Sequence, residues 1–257
     1  MRINILIVMM GLLLSVPDAR STGIREWVKK SMNRAEPENK KIETKFDVVI
    51  GDITKQDGMI IVNAANPEIK LSPDMAGVTK AIADAAGNDL AKLEQVIEEA
   101  KKNPAKTHKP SEVDQNALAR GSVLITRGNF GDLGKRNIHL ILHAVAPMTG
   151  KMVPQEPWRK EALEDTFMKA LKIVSQEPEG TRKIAFPLLG AGVYGWPKEE
   201  AIHAAIEAIK AFAILKNLDE IRIVVLTEED KNAVEKAFNK IKPSGDAILR
   251  AQNIIDQ

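Results

Sequence analysis

Short runs rich in Val and Ile recur along the chain after residue 45, at 46–50, 59–62, 122–126, 138–143, 183–186 and 221–226. Several are nearly continuous apolar runs rather than alternating ones, which is the pattern of strands covered on both faces. Between them lie segments with helical periodicity, at 77–86, 90–102, 156–175, 198–215 and 229–240. In 198–215, Ile202, Ala205, Ile206, Ile209 and Phe212 fall at helical spacing and form one buried stripe. Strands and helices alternating in this way predict a three-layer α/β/α domain over 46–242, with a mixed, largely parallel central sheet. The stretch 103–116, with two prolines and many polar residues, reads as a long surface loop, and 243–257 as a C-terminal tail with a loose terminal helix.

The N-terminus follows a different pattern. Arg2 precedes an apolar run from Ile3 to Val16, and small residues follow, with Ala19 and Ser21 able to occupy the small positions of a cleavage site. The run is shorter than the roughly 20 residues a membrane-crossing helix needs. Residues 1–21 are therefore expected to be a signal peptide, the mature protein exported to the periplasm or secreted with no stable membrane span after cleavage; the alternatives are an uncleaved anchor or a buried apolar strand or helix, and without a signal the protein would be cytoplasmic. Residues 22–45 are charged, carry Pro37 and read as a linker. Composition narrows the function. Hydrophobic residues at 44% support a real core, while aromatics at 4% leave it to aliphatic side chains. A net charge of +2 with so few aromatics argues against nucleic acid, which needs phosphate contacts and stacking surfaces. With no cysteine there is no disulfide, thiolate metal site or cysteine nucleophile, and the histidines show no metal-ligand spacing, so no metal and no cofactor is expected.

Three segments carry candidate chemistry. Pro187-Leu-Leu-Gly-Ala-Gly-Val-Tyr-Gly-Trp-Pro197 leaves a strand and opens into a helix. Its glycines allow the backbone to approach a ligand closely, and Pro197 suits a helix start. Free N–H groups and a helix N-terminus together favour a phosphate or diphosphate. Upstream, Gly51-Asp52-Ile53-Thr54 and Val62-Asn63-Ala64-Ala65-Asn66-Pro67 each end a strand, where open α/β sheets bind ligands. Asp52 can accept a hydrogen bond from an exocyclic amine, and Asn63 and Asn66 offer amides to ribose hydroxyls. The alternative role for each is turn-making, because Asx side chains also cap loops. His143, at the end of an apolar strand, reads as a hydrogen-bonded core residue rather than a base.

In order and spacing these segments resemble the macrodomain family. The resemblance spans roughly Phe46 to Lys240 and includes Ala76-Gly77-Val78-Thr79-Lys80-Ala81-Ile82, Ile141-Leu142-His143-Ala144-Val145-Ala146-Pro147 and Ala185 to Gly195. It implies an ADP-ribose pocket. Asp52 and Ile53 would hold adenine, with Leu226 where relatives place a stacking aromatic residue. Asn63 and Asn66 would match the asparagine pair, Asn66 facing the distal ribose. Gly77 and Val78 would border the diphosphate and distal ribose. Gly190, Ala191, Gly192, Val193 and Tyr194 would form the diphosphate loop, with Tyr194 over the distal ribose.

Departures from the family pattern bear on catalysis. Relatives carry a run of glycines where this chain reads Pro73-Asp74-Met75-Ala76-Gly77, and Thr79 stands where the hydrolase branch has an Asp. A hydroxyl does not replace a general-base carboxylate. The expected function is therefore binding of ADP-ribose or of an ADP-ribosylated protein. The alternative is a mono-ADP-ribosyl hydrolase or O-acetyl-ADP-ribose deacetylase, in which Asn66 would be the catalytic positioning residue.

Overall fold

A computed structural model describes residues 44–102, 118–149 and 160–257. The expected signal segment, nearly all of the linker, the 103–116 loop and the first residues of the 156–175 helix lie outside these.

Six strands form one sheet: β1 (Lys45–Ile50), β2 (Ile60–Ala64), β3 (Val123–Arg127), β4 (Leu140–Ala144), β5 (Lys183–Phe186) and β6 (Glu220–Val225). Their order is β1-β6-β5-β2-β4-β3. All neighbouring pairs are parallel except β3 with β4. This is the mixed, largely parallel sheet expected from the apolar runs. The helices are α1 (Gly77–Ala86), α2 (Leu90–Lys101), α3 (Gly131–Lys135), α4 (Lys160–Ser175), α5 (Lys198–Leu215), α6 (Glu228–Lys240) and α7 (Gly245–Asp256).

The continuous apolar strands have a direct structural cause. In β2, Ile60 and Val62 enter the core packed by α4, α5, α6 and α7, whereas Ile61 enters the one packed by α1, α2 and α3. The same division separates Ile184 and Phe186 from Ala185 in β5, and Ile223 and Val225 from Val224 in β6. Side chains alternate along a strand, so a sheet covered on both faces needs apolar residues at every position. The segment expected as a loose terminal helix is a packed one. Ala247, Ile248, Ala251 and Ile254 of α7 are buried in the core shared with α4, α5 and α6, and Ser244 caps the helix by accepting from the Ala247 N–H. Among the described residues, no helix is long and apolar enough to cross a membrane.

Candidate ligand-binding cleft

The carboxyl ends of β1, β2, β5 and β6 open into a cleft with two lobes. The larger, of about 680 Å³, is bordered by Gly51, Asp52, Ile53, Gly77, Val78 and Leu226, among others. The smaller, of about 280 Å³, is bordered by Asn66, Met75, Thr79, Gly190, Val193 and Tyr194, among others. Ala64, Leu188 and Gly192 border both lobes, so the lobes adjoin across the glycine-rich loop. Leu226 is 82% and Val193 81% exposed at the rim. Large apolar side chains exposed at a concave mouth are surfaces that a ligand can cover.

The loop 187–197 is built around Trp196. Its indole Nε1 donates to the Pro147 carbonyl at 2.7 Å, its own N–H donates to the Gly190 carbonyl, and the side chain is buried. Gly190 has φ +81°, and a Cβ there would lie 2.6 Å from the Trp196 ring. Gly190→Ala is therefore expected to cost about 1–3 kcal/mol, from overpacking added to a left-handed backbone; chemical denaturation would read this as a lower midpoint. Gly192 differs, since nothing lies within 4 Å of the position its Cβ would take. The N–H groups of Gly192, Val193 and Tyr194 donate to no acceptor among the described residues, whereas Ala191 donates to the Leu188 carbonyl. Three unpaired N–H groups in succession form a cradle for an anion. The loop is tied to β2 by the Tyr194 hydroxyl, which donates to the Ala65 carbonyl at 3.0 Å. Burial raises the Tyr194 pKa, and Arg120, whose guanidinium lies 5.2 Å from the ring centroid, partly opposes that shift.

Helices α1 and α5 both start at the cleft, and neither Ala76 nor Pro197 supplies a side-chain cap. Their first-turn N–H groups thus lack side-chain acceptors, and the helix dipoles add positive potential there. Asp52 takes both roles considered for it. Its Oδ1 accepts from the Thr54 N–H at 2.9 Å and the Thr54 hydroxyl at 2.7 Å, capping a short 3-10 turn, while the residue borders the larger lobe. Asn66 likewise holds its own loop, with Oδ1 accepting from the Lys70 N–H and Nδ2 donating to the Lys70 carbonyl, and it borders the smaller lobe. Met75 Sδ lies 3.9 Å from Asn66 Nδ2, narrowing that lobe where a bare glycine would not.

Asn63 is the candidate that the structure moves elsewhere. It is 1% exposed and borders neither lobe. On β2 it shares a face with Ile61, pointing toward the layer of α1 and α2, where its amide joins a buried chain. Thr79 Oγ1 donates to Asn63 Oδ1 at 3.1 Å, Asn63 Nδ2 meets His143 Nδ1 at 3.1 Å, and His143 Nε2 meets Thr126 Oγ1 at 2.8 Å. Burial, followed by the charge of Lys101, lowers the His143 pKa to about 3, so the ring is neutral. With Nδ1 accepting, its proton sits on Nε2. His143 is thus a core histidine, and Thr79 is committed to holding Asn63.

The other candidates, Asp52, Ile53, Asn66, Gly77, Val78, Gly190, Ala191, Gly192, Val193, Tyr194 and Leu226, all border one lobe or the other. Lys198 and Asp230, on the larger lobe, were not singled out from the sequence. They are ion-paired at 2.6 Å from different helices, and nothing local in the sequence links them. A second polar cluster lies outside the cleft, on α4 and α5. Ligand atoms of Glu164, His203 and Glu207 fall within 4.8 Å of one another, a span that a divalent ion could bridge. Lys160 Nζ already sits 3.0 Å from His203 Nδ1, 3.1 Å from Glu164 Oε1 and 3.2 Å from Glu207 Oε2, and supplies the positive charge there.

The Macro domain family pattern matches residues 62–205. That span runs from within β2 to the first half of α5 and takes in the 187–197 loop and the buried chain beneath the cleft, while the Asp52 turn and Leu226 lie outside it. The chain belongs to the Macro domain family. Similarity to individual relatives covers a larger share of the chain than that span. An uncharacterized protein of Pyrococcus furiosus is 31% identical over 77% of this chain and 98% of the relative. An O-acetyl-ADP-ribose deacetylase of Enterobacter sp. is 29% identical over 75% of this chain and 91% of its own length. A solved mutant of the Oceanobacillus iheyensis macrodomain, with ADPR, is 27% identical, has a TM-score of 0.61, and matches 78% of this chain and 95% of that one.

Proposed function

We propose that this macrodomain binds ADP-ribose, free or as the modification on a protein. The observation that carries this reading is the row of unpaired N–H groups at Gly192, Val193 and Tyr194, set where the two lobes adjoin. A diphosphate on that cradle would send adenosine into the larger lobe, against Asp52, Ile53 and Leu226. The distal ribose would enter the smaller one, beside Asn66 and Tyr194. The free first turn of α1 at Gly77 and Val78 adds to the attraction for phosphate. The likeness to a macrodomain solved with ADPR supports the same assignment. Leu226 covers adenine by dispersion without aromatic stacking, which is consistent with an affinity near micromolar, roughly −8 kcal/mol. Isothermal titration with ADP-ribose is expected to give a one-site curve in that range; no heat up to millimolar ligand would overturn the reading.

A second reading, hydrolysis of an ADP-ribosyl bond or of O-acetyl-ADP-ribose, is favoured by the name of the Enterobacter relative. The smaller lobe offers little acid–base chemistry for it. Among the described residues lining that lobe there is no carboxylate, imidazole or amine, and Asp74 does not border it. Turnover would then rest on Asn66 and the loops orienting water and substrate. Binding is therefore the primary assignment. The proposal includes export, carried by the Arg2-led apolar pattern of residues 1–21 alone.

A further inference from the structure

The larger lobe has an uneven charge lining. Asp52 and Asp230 border it with carboxylates, and among the described residues there Lys198 is the sole basic side chain. Asp52 is committed through Oδ1 to the Thr54 turn. Asp230 sits in the first turn of α6, where its N–H donates to the Thr227 hydroxyl and the helix dipole favours a negative charge. Its Oδ1 is buried, and the Lys198 ammonium lies 2.6 Å away. Lys198 is the first residue of α5, close in sequence to the Gly192 cradle, and its side chain is half exposed. The Lys198 ammonium holds the Asp230 carboxyl below the usual carboxylate range, so the acid stays ionised.

Gly192 borders the same lobe, so an unmasked carboxylate there would add negative potential to the space beside the diphosphate cradle. We infer that Lys198 sets the charge selectivity of the cleft by masking Asp230, so that the larger lobe admits a nucleoside diphosphate instead of repelling it. The inference rests on the ADP-ribose reading and adds the residue pair that makes an anionic ligand acceptable. An ordinary tie between α5 and α6 would act on folding alone, so losing it would lower stability without distinguishing ADP-ribose from adenosine.

The test is a double-mutant cycle on the full chain, titrating Lys198→Met, Asp230→Asn and the double variant with ADP-ribose and with adenosine, which lacks phosphate. Lys198→Met is expected to weaken ADP-ribose binding by about tenfold and leave adenosine within about twofold. Asp230→Asn is expected to bind ADP-ribose at least as tightly as the wild type, and the double variant to return within about threefold of it. Melting curves of each variant separate loss of fold from loss of binding. The inference is overturned if Lys198→Met binds ADP-ribose like the wild type, if it loses adenosine equally, or if the double variant stays as weak as Lys198→Met. A wild type that ignores ADP-ribose overturns the underlying reading and this inference with it. A wild type that binds, beside an unaffected Lys198→Met, overturns this inference alone.

Discussion

Gly192→Glu is expected to abolish ADP-ribose binding, by more than about 100-fold, and to leave the protein folded. The two halves of this expectation come from different observations. Folding is preserved because a Cβ at Gly192 would meet nothing within 4 Å. The residue also lies outside the left-handed region that penalises Gly190, and its N–H donates to no acceptor among the described residues. Binding is lost because Gly192 borders both lobes, so a glutamate side chain there enters the space where they meet. Its carboxylate would stand within a few ångströms of a dianionic diphosphate. At about 5 Å and an effective dielectric constant near 20, each pair of unit charges repels by about 3 kcal/mol. Steric exclusion adds to that repulsion. Gly192→Ala supplies the control, since a methyl group carries no charge and fills little of the opening; it should retain most of the affinity. Titration calorimetry, paired with circular dichroism, decides the matter. A Gly192→Glu protein that binds like the wild type would place the diphosphate elsewhere.

The contrast between Gly190 and Gly192 also shows where the sequence stopped being informative. Both glycines belong to one motif and look equivalent in a string of letters. Only the position of Trp196 separates a glycine demanded by packing from one left open for a ligand. The sheet and main helices were legible because burial on both faces forces apolar residues at successive strand positions, a local signature. Helix α3 has no such signature: Gly131-Asp-Leu-Gly-Lys135 is one short turn with Leu133 as its one buried residue. The packing of α7 was hidden because Ala247, Ile248, Ala251 and Ile254 mark an amphipathic face without naming its partner, which is α4 and α5. Asn63 was readable in part. It lies two residues beyond Ile61 and therefore on the same face of β2, whereas Asn66 lies past the strand end, where alternation no longer applies. Treating the two asparagines as a pair obscured this difference. Lys198 and Asp230 stood beyond reach, since their contact joins two helices whose relative placement is a product of the whole fold.

Breaking the buried chain through Asn63 is expected to have the largest effect on stability. Asn63→Ala would leave the fully buried His143 Nδ1 without its partner and the Thr79 hydroxyl with only its longer contact, 3.4 Å, to the Ala64 carbonyl. The orphaned buried acceptor costs about 1–3 kcal/mol and the lost Thr79 bond about 1 kcal/mol more, so a loss of about 2–4 kcal/mol is expected in urea unfolding at neutral pH. The same chain gives the fold an acid sensitivity of definite sign. His143 has a folded pKa of about 3 against an ordinary value of 6.5. Between those values the unfolded chain binds a proton that the folded chain refuses. Stability should therefore be unaffected by this residue above pH 6.5, and fall as pH drops below it, by up to about 1.4 kcal/mol per unit. The window from pH 6.5 to 5 isolates the effect, because most carboxylates titrate lower. His143→Gln keeps a polar side chain but cannot titrate, so its stability should stay flatter than the wild type's across that window even if it starts lower. Equal slopes in the two proteins would mean that His143 already binds its proton in the fold, and the neutral hydrogen-bonded chain under the cleft would then be wrong. The arrangement also explains why Thr79 is a poor site to supply with a catalytic acid. A carboxylate there would face Asn63 Oδ1, and relieving the repulsion would require the amide to turn, the His143 proton to move to Nδ1 and the Thr126 hydroxyl to become the donor to Nε2. In this chain the residue beneath the smaller lobe carries a hydroxyl tied to the core, and a carboxylate could take its place only with a rearrangement of the whole buried chain from Asn63 to Thr126.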